Sequence, residues 1–251
     1  MSLAGRTALV TGGGTGLGAA IARALHAQGA DVVLAGRRAE PLQQLCVALG
    51  ERAIWRECDI TDPASVDAMA ESLTGEDISI LINNAGIAGP VAPLTEVTVA
   101  EWDEVFDVNV RGMFLVCKAF LPAMVSRGAG DVINLASVSG KRPLVRRTPY
   151  CASKMAVIGL TSTLAFEVGP YGVNVNTLSP GPVDGPRMDR NFRLDAERTG
   201  STYAAAMETF VSRAALGRMV TETEVGAAVV AMLAMPGLCG ADIDLSAGMV
   251  A

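Results

Sequence analysis

The sequence predicts an α/β fold: three layers, with a doubly wound parallel sheet of about seven strands and helices on both faces. Three observations carry this. Short Val/Ile/Leu runs alternate with stretches of helical period along the whole chain. The short runs are continuously apolar rather than alternating, as in strands covered on both faces. Turn-forming and polar residues follow the runs as TGGG, AGRR, CDI, NNAG, ASVSG and SPGPV. A right-handed parallel sheet gathers such strand ends along one edge, where ligands bind.

The elements follow in order. RTALVTG (6–12) reads as a buried strand, and GLGAAIARALHAQG (16–29) as a helix closed by Gly29. DVVLAG (31–36) is the second strand and EPLQQLCVAL (40–49) the second helix. AIWREC (53–58) is a strand; PASVDAMAESL (63–73) is a helix with Asp62 as its cap and Pro63 at the first helical position. ISILINNAG (78–86) is a strand ending in turn residues, followed by a long helix over about 101–126. DVINLAS (131–137) is a strand, the helix containing Tyr150 runs to about 168, and GVNVNTLSP (172–180) is another strand. Residues 182–220 are irregular and helix-prone, and 184–213 is expected to form a lid over the ligand edge. ADIDLSAGMVA at the C-terminus supplies a last strand.

Bulk properties narrow the function. The 251 residues suit one domain spanning 1–251, with no low-complexity linker and no internal repeat. Half the residues are apolar and 18% charged, which excludes a disordered chain. A formal net charge of −6 argues against nucleic acid. The N-terminal MSLAGRTALVTGGG lacks a secretory apolar core. Contiguous apolar runs such as AAVVAMLAM (227–235) fall short of the roughly 20 residues that span a bilayer. The expectation is a cytoplasmic protein with no membrane partner. Cys46, Cys58, Cys117, Cys151 and Cys239 are odd in number and not closely paired, so free thiols are expected rather than disulfides or a metal site. His26 is the sole histidine and no nucleophile accompanies it, so a His-based triad is not expected.

The stretch TGGGTGLG (11–18) lies between the first strand and the first helix. Gly12, Gly16 and Gly18 give a tight turn that lets backbone approach a pyrophosphate, with the helix N-terminus behind it. Thr15 and Leu17 belong to the same loop. Later, Tyr150 and Lys154 stand four apart, on one face of a helix. A phenol with a pKa of about 10 is a poor base at neutrality. A neighbouring ammonium stabilises its phenolate and makes proton exchange feasible.

The motif T-G-x-x-x-G-x-G, NNAG at 83–86, Ser137, Y-x-x-x-K at 150–154 and PG at 180–181 occur together and in order. In this combination the chain resembles the short-chain dehydrogenase/reductase family over essentially its whole length. The resemblance implies a Rossmann-type domain that moves hydride between NAD(P) and a carbonyl/alcohol pair. It implies Tyr150 as general acid/base and Ser137 as the holder of the substrate oxygen. Lys154 would also grip the nicotinamide ribose, and Asn109 would hold a water joining Lys154 to solvent. It further implies cofactor contacts from Asp59 and Ile60 at the adenine, from Asn83, Ala85 and Gly86 along the cavity, and from Pro180, Gly181 and Val183 beside the nicotinamide amide. Gly185 departs from the family's frequent threonine, which removes one carboxamide or phosphate contact. A homotetramer pairing helices 101–126 and 150–168 is also implied.

The end of the second strand, LAGRRAE, has Gly36 where an acidic residue would select NAD(H), followed by Arg37 and Arg38. Guanidinium pairs well with a 2′-phosphate, so NADP(H) is preferred. Thr15 stands where many NADP members carry a basic residue, which keeps NAD(H) open. Substrate contacts are expected from Val138, Leu144, Arg146, Arg147, Met188 and Phe192. Lys141, Arg142, Arg146 and Arg147 form a basic cluster in sequence; it serves an acidic small-molecule substrate, or is a solvated loop or a subunit contact. The alternative function is a non-catalytic dinucleotide-binding redox sensor, which needs no proton donor.

Overall fold

The computed structural model describes residues 2–249, without the side chains of 186 and 187. Among these residues seven strands form one parallel sheet in the order β3-β2-β1-β4-β5-β6-β7. They are β1 (Thr7–Thr11), β2 (Asp31–Gly36), β3 (Ala53–Glu57), β4 (Ile78–Asn83), β5 (Gly130–Leu135), β6 (Val173–Pro180) and β7 (Asp242–Leu245). The strand order reverses direction between β1 and β4, so a crevice opens at their C-terminal ends.

Helices cover both faces. On one side α1 (Gly16–Ala27), α2 (Ala39–Leu49) and α9 (Glu222–Leu233) close a core built on Val10, Leu34, Ile80, Ile133 and Leu178. On the other, α3 (Pro63–Ser72), α5 (Met113–Arg127) and α6 (Thr148–Val168) close a core built on Leu9, Val33, Leu81, Val132 and Val175. Consecutive strand residues thus enter opposite cores, as a pleat covered twice requires. Full burial of each such side chain contributes roughly 1.5–3 kcal/mol.

Asp62 caps α3, its side chain accepting from the Ala64 N–H at 3.1 Å, with Pro63 at the first helical position. The single helix expected over 101–126 has internal structure. It comprises α4 (Val99–Phe106), a wider π-helical stretch over 107–112, and α5. The widened turn rotates Asn109 into the protein, where it is fully buried. Two helices form in the expected lid, α7 (Pro186–Thr199) and α8 (Tyr203–Val211). α9 occupies the apolar run at 227–235 that sequence periodicity leaves unassigned. Of the C-terminal segment, Asp242–Leu245 forms the edge strand, and Val250 and Ala251 lie outside the described residues.

One expectation needs correction. Contiguous apolar runs are short, but the helical stretches Val99–Arg127 and Thr148–Tyr171, 29 and 24 residues long, each hold an 18-residue window, of mean hydropathy 1.4 and 1.2, that by length and composition alone could cross a membrane. Within each window at most two charged residues stand among the apolar ones, so the longest uninterrupted run underestimates it. Both also pack against the sheet through one core, as core helices do.

Candidate active site

Thr11 ends β1 and organises the crevice. Its hydroxyl accepts from the N–H groups of Asn84 and Ala85, both at 3.1 Å. The Asn84 amide donates to the carbonyls of Thr11 (3.0 Å) and Gly12 (3.3 Å). The glycine loop is thereby clamped to the end of β4. A Cβ on Gly12 would sit 3.0 Å from the Ala85 Cα, and Gly12 has φ +63°. Gly18 faces the loop from the helix side, where a Cβ would lie 2.1 Å from the Gly12 oxygen. Strand, loop and helix therefore close to backbone contact.

A cavity of about 570 Å³ runs along this edge. Its wall includes Gly12, Thr15, Gly16 and Leu17 of the loop, Arg37 and Arg38 after β2, and Asp59 and Ile60 after β3. Asn84, Ala85, Gly86 and Val183 line it further along. The Asp59 carboxylate accepts from the Thr61 N–H (2.9 Å) and hydroxyl (2.8 Å). The Thr61 N–H above all holds this carboxyl below its usual range, with its hydroxyl and nearby Arg37 assisting against partial burial. The wall suits a dinucleotide: loop backbone at a helix N-terminus for phosphates, two guanidinium groups at one end, and glycines where a side chain would fill the space.

Some residues expected at the cofactor stand elsewhere. Asn83 does not line the cavity. As the last strand residue it points into the opposite layer, where its amide donates to Asn134 Oδ1 (2.8 Å) and Cys117 Sγ (3.2 Å). The pleat turns its neighbour Asn84 to the ligand edge instead. Gly18 packs behind the loop. Gly181 lies against Ser246 and donates its N–H to the Leu245 oxygen (2.8 Å), since β7 covers it. Pro180 ends β6 and offers its carbonyl to Ser137.

Lys154 and Asn109 stand behind Gly86 of the cavity wall, with the Tyr150 ring beside Lys154 and the Ser137 turn packed on α6. Lys154 is 5% exposed; its ammonium donates to the Leu135 carbonyl at 2.8 Å and lies 5.9 Å from the centroid of the Tyr150 ring. A Cβ on Gly86 would stand 3.0 Å from Asn109 Oδ1 and 3.5 Å from Lys154 Nζ. Gly86, which lines the cavity, therefore packs closely on both side chains. Asn109 Oδ1 accepts from the Ile87 N–H (2.8 Å), while its Nδ2 donates to the Ile87 carbonyl (3.0 Å) and Ser153 Oγ (3.0 Å). Ser153 in turn donates to the Tyr150 carbonyl at 2.8 Å. This chain fixes α6 between its tyrosine and its lysine. Ser137 is buried; its hydroxyl accepts from the Ser139 N–H (3.1 Å) and is 3.4 Å from the Pro180 carbonyl. Gly140 presses the Ser137 turn onto α6, where a Cβ would meet the Lys154 and Met155 backbone at 2.9 Å.

The substrate candidates divide. Arg147 donates to the carbonyls of Ala88 (3.3 Å) and Gly89 (3.2 Å) and to Asn191 Oδ1 (3.3 Å), which ties α7 to the loop after β4. Phe192 packs between α7 and α8 rather than lying on the surface: it is 3% exposed, with Tyr203 and Phe210 rings at 5.9 and 5.4 Å. Met188 and Val138 are buried, Leu144 is exposed, and Arg146 is exposed with φ +66°. The basic cluster disperses in space. Lys141 pairs with Asp242 at 2.7 Å and with Asp244, and Arg142 donates to the Met249 carbonyl.

Sequence reasoning missed Asn84, Gly140 and Glu222, a cavity-lining residue at the start of α9. Asn84 was within reach, because strand alternation turns one of two adjacent asparagines outward. Glu222 carried no signal, since its helix was unassigned.

Comparison with known proteins agrees with the fold. The family model described as short chain dehydrogenase matches residues 6–197. The chain is 40% identical over 206 residues to a D-threitol dehydrogenase of Mycolicibacterium smegmatis, covering 76% of this chain and 79% of that protein. Among solved structures, NAD+-bound xylitol dehydrogenase superposes with a TM-score of 0.93 at 28% identity, covering 99% of this chain and 100% of the other. Actinorhodin polyketide ketoreductase with NADPH superposes with a TM-score of 0.92 at 30% identity, over 97% of each chain.

Proposed function

Because the chain belongs to the short-chain dehydrogenase family of oxidoreductases, we propose that it interconverts a secondary alcohol and its ketone, with Tyr150 exchanging the hydroxyl proton. When bound, the dinucleotide accepts or supplies the hydride. The observation that carries the proposal is the position of Lys154: buried, anchored on Leu135, set against Gly86 in the cavity wall and beside the Tyr150 ring.

The chain's own residues divide the work. Ser137 turns its hydroxyl from the long contact with Pro180 toward the substrate oxygen and holds it. The Lys154 ammonium favours the charged form of its neighbour, so Tyr150 takes the alcohol proton during oxidation and returns it during reduction. Asn109 and Ser153 keep α6 in register with the cavity wall.

Arg37 and Arg38 at the cavity's end favour NADP(H), through bidentate pairing with a 2′-phosphate. The solved neighbours include one with NAD+ and one with NADPH, so NAD(H) is the competing cofactor. The substrate class proposed is a small neutral polyol. The threitol and xylitol dehydrogenases support it, as does the commitment of Lys141 to carboxylates, which takes it from any acidic substrate. A cytoplasmic homotetramer completes the proposal, supported by Phe114, Met155 and Phe166 standing 47–82% exposed on α5 and α6.

The test is a panel of polyols and ketones offered with NADP(H) and NAD(H), followed by the absorbance of the reduced nicotinamide. Turnover of polyols, faster with NADP+ than with NAD+, is expected. Tight dinucleotide binding with no turnover on any alcohol or ketone would favour the redox sensor.

A further inference from the structure

Among the described residues, Glu222 is the one cavity-lining residue whose charge opposes the proposed ligand at its phosphates. The acidic residues in the wall are Asp59 and Glu222; Asp59 sits at the end shared with Arg37, whereas Glu222 sits at the glycine loop. Helix packing puts it there. Gly226 lets α9 approach α1 closely: a Cβ at this position would lie 2.9 Å from the Ala24 Cβ and 3.0 Å from the Ala20 carbonyl. One turn earlier on each helix, Glu222 meets Gly16, the first residue of α1. The strand-like pairing of Val183 with Val220 fixes the other side, with the Asp184 N–H donating to the Val220 carbonyl at 2.7 Å. A Cβ on Gly16 and a Cβ on Gly185 would each stand 3.7 Å from the same Glu222 oxygen, Oε1. The carboxylate therefore bridges the gap between the glycine loop and the start of the lid.

We propose that Glu222 is an electrostatic gate on the dinucleotide's diphosphate. Its carboxylate faces the positive end of α1, the end that would otherwise attract phosphate alone. A diphosphate entering the loop must turn the side chain aside and bear its charge nearby, so wild-type affinity is held below what the cavity's shape allows. The lack of a side chain at Gly185 gives the carboxylate room to move. This inference rests on the proposed dinucleotide site and adds a residue that sets its affinity.

The experiment is equilibrium titration of NADP+ and NAD+ into the wild type, Glu222→Gln and Glu222→Ala, with adenosine as a probe that lacks phosphate. Titrations at about 0.01 M and about 1 M ionic strength span screening lengths of roughly 30 and 3 Å. Both variants, with circular dichroism matching the wild type, are expected to bind the dinucleotides about 3- to 10-fold more tightly at low salt. The gain should shrink at high salt, and adenosine binding should be unchanged. Weaker or unchanged dinucleotide binding by folded variants would overturn the gate, since it would make Glu222 a ligand contact or a bystander. An equal gain for adenosine would also overturn it, by showing a steric effect. A wild type that binds neither dinucleotide would sink the proposed function and the gate together, whereas normal wild-type binding with unresponsive variants sinks the gate alone.

Discussion

Gly18→Ala tests how the glycine loop is built. The added Cβ would stand 2.1 Å from the Gly12 oxygen, 2.8 Å from the Gly12 carbonyl carbon and 2.6 Å from the Asn84 amide nitrogen. An acceptable carbon–oxygen approach is about 3.3 Å, so loop and helix must separate by roughly 1 Å. Neither side yields easily. Gly12 is backed by Ala85, and α1 is wedged against α9. Overpacking of this kind costs about 1–3 kcal/mol. Alanine recovers about 0.8–1 kcal/mol of helix propensity. The net loss, up to roughly 2 kcal/mol, lowers the midpoint of thermal unfolding by up to about 8 °C. The displaced Gly12 lines the cavity, so dinucleotide affinity should fall by about tenfold or more. Differential scanning calorimetry and a fluorescence titration read the two effects. A variant with wild-type melting and wild-type affinity would refute the backbone contact.

Arg37→Asp should raise the KM for NADP+ by about tenfold or more while changing that for NAD+ far less, because a lost bidentate phosphate pair is replaced by repulsion; initial rates with each cofactor check this. Thiol labelling near pH 8 should modify exposed Cys239 first and leave Cys58 and Cys117 until unfolding, since burial raises both and takes Cys117 to about 12; mass spectrometry identifies the order. Glu224 is held at about 2, first by the Arg218 guanidinium and then by the Thr221 N–H in the cap of α9. A lowered folded value means its stabilisation is complete above the ordinary value of 4.5 and is lost as pH falls toward 2. The small melting difference between wild type and Glu224→Gln should therefore be full at pH 6 and narrow progressively below pH 4.5, as thermal melts across that range would show.

Much of the fold was legible because each strand is a bounded apolar run and each crossover carries its own punctuation. Asp62 with Pro63, and the glycines of TGGGTGLG, marked boundaries that the structure reproduces closely. The π-helical turn at Asn109 was not legible, because one extra residue in a helical turn leaves the apolar pattern almost unchanged. α7 and α8 were blurred by the polar surface of α7, and α9 by its lack of a polar face. In the site, motif residues fell near one another, but which side chain faces the ligand is a matter of pleat and packing. Asn83 and Asn84 are identical in type and opposite in direction. The basic residues 141–147 look like one patch in sequence, yet Lys141 reaches back to β7 while Arg147 reaches forward to α7.

The account stands or falls on proton exchange at Tyr150, and single-turnover hydride transfer isolates that step from binding. With dinucleotide and polyol both saturating, Tyr150→Phe should transfer hydride at least about 100-fold more slowly than the wild type while binding dinucleotide within about threefold of it. A variant that transfers hydride at the wild-type rate would contradict the account.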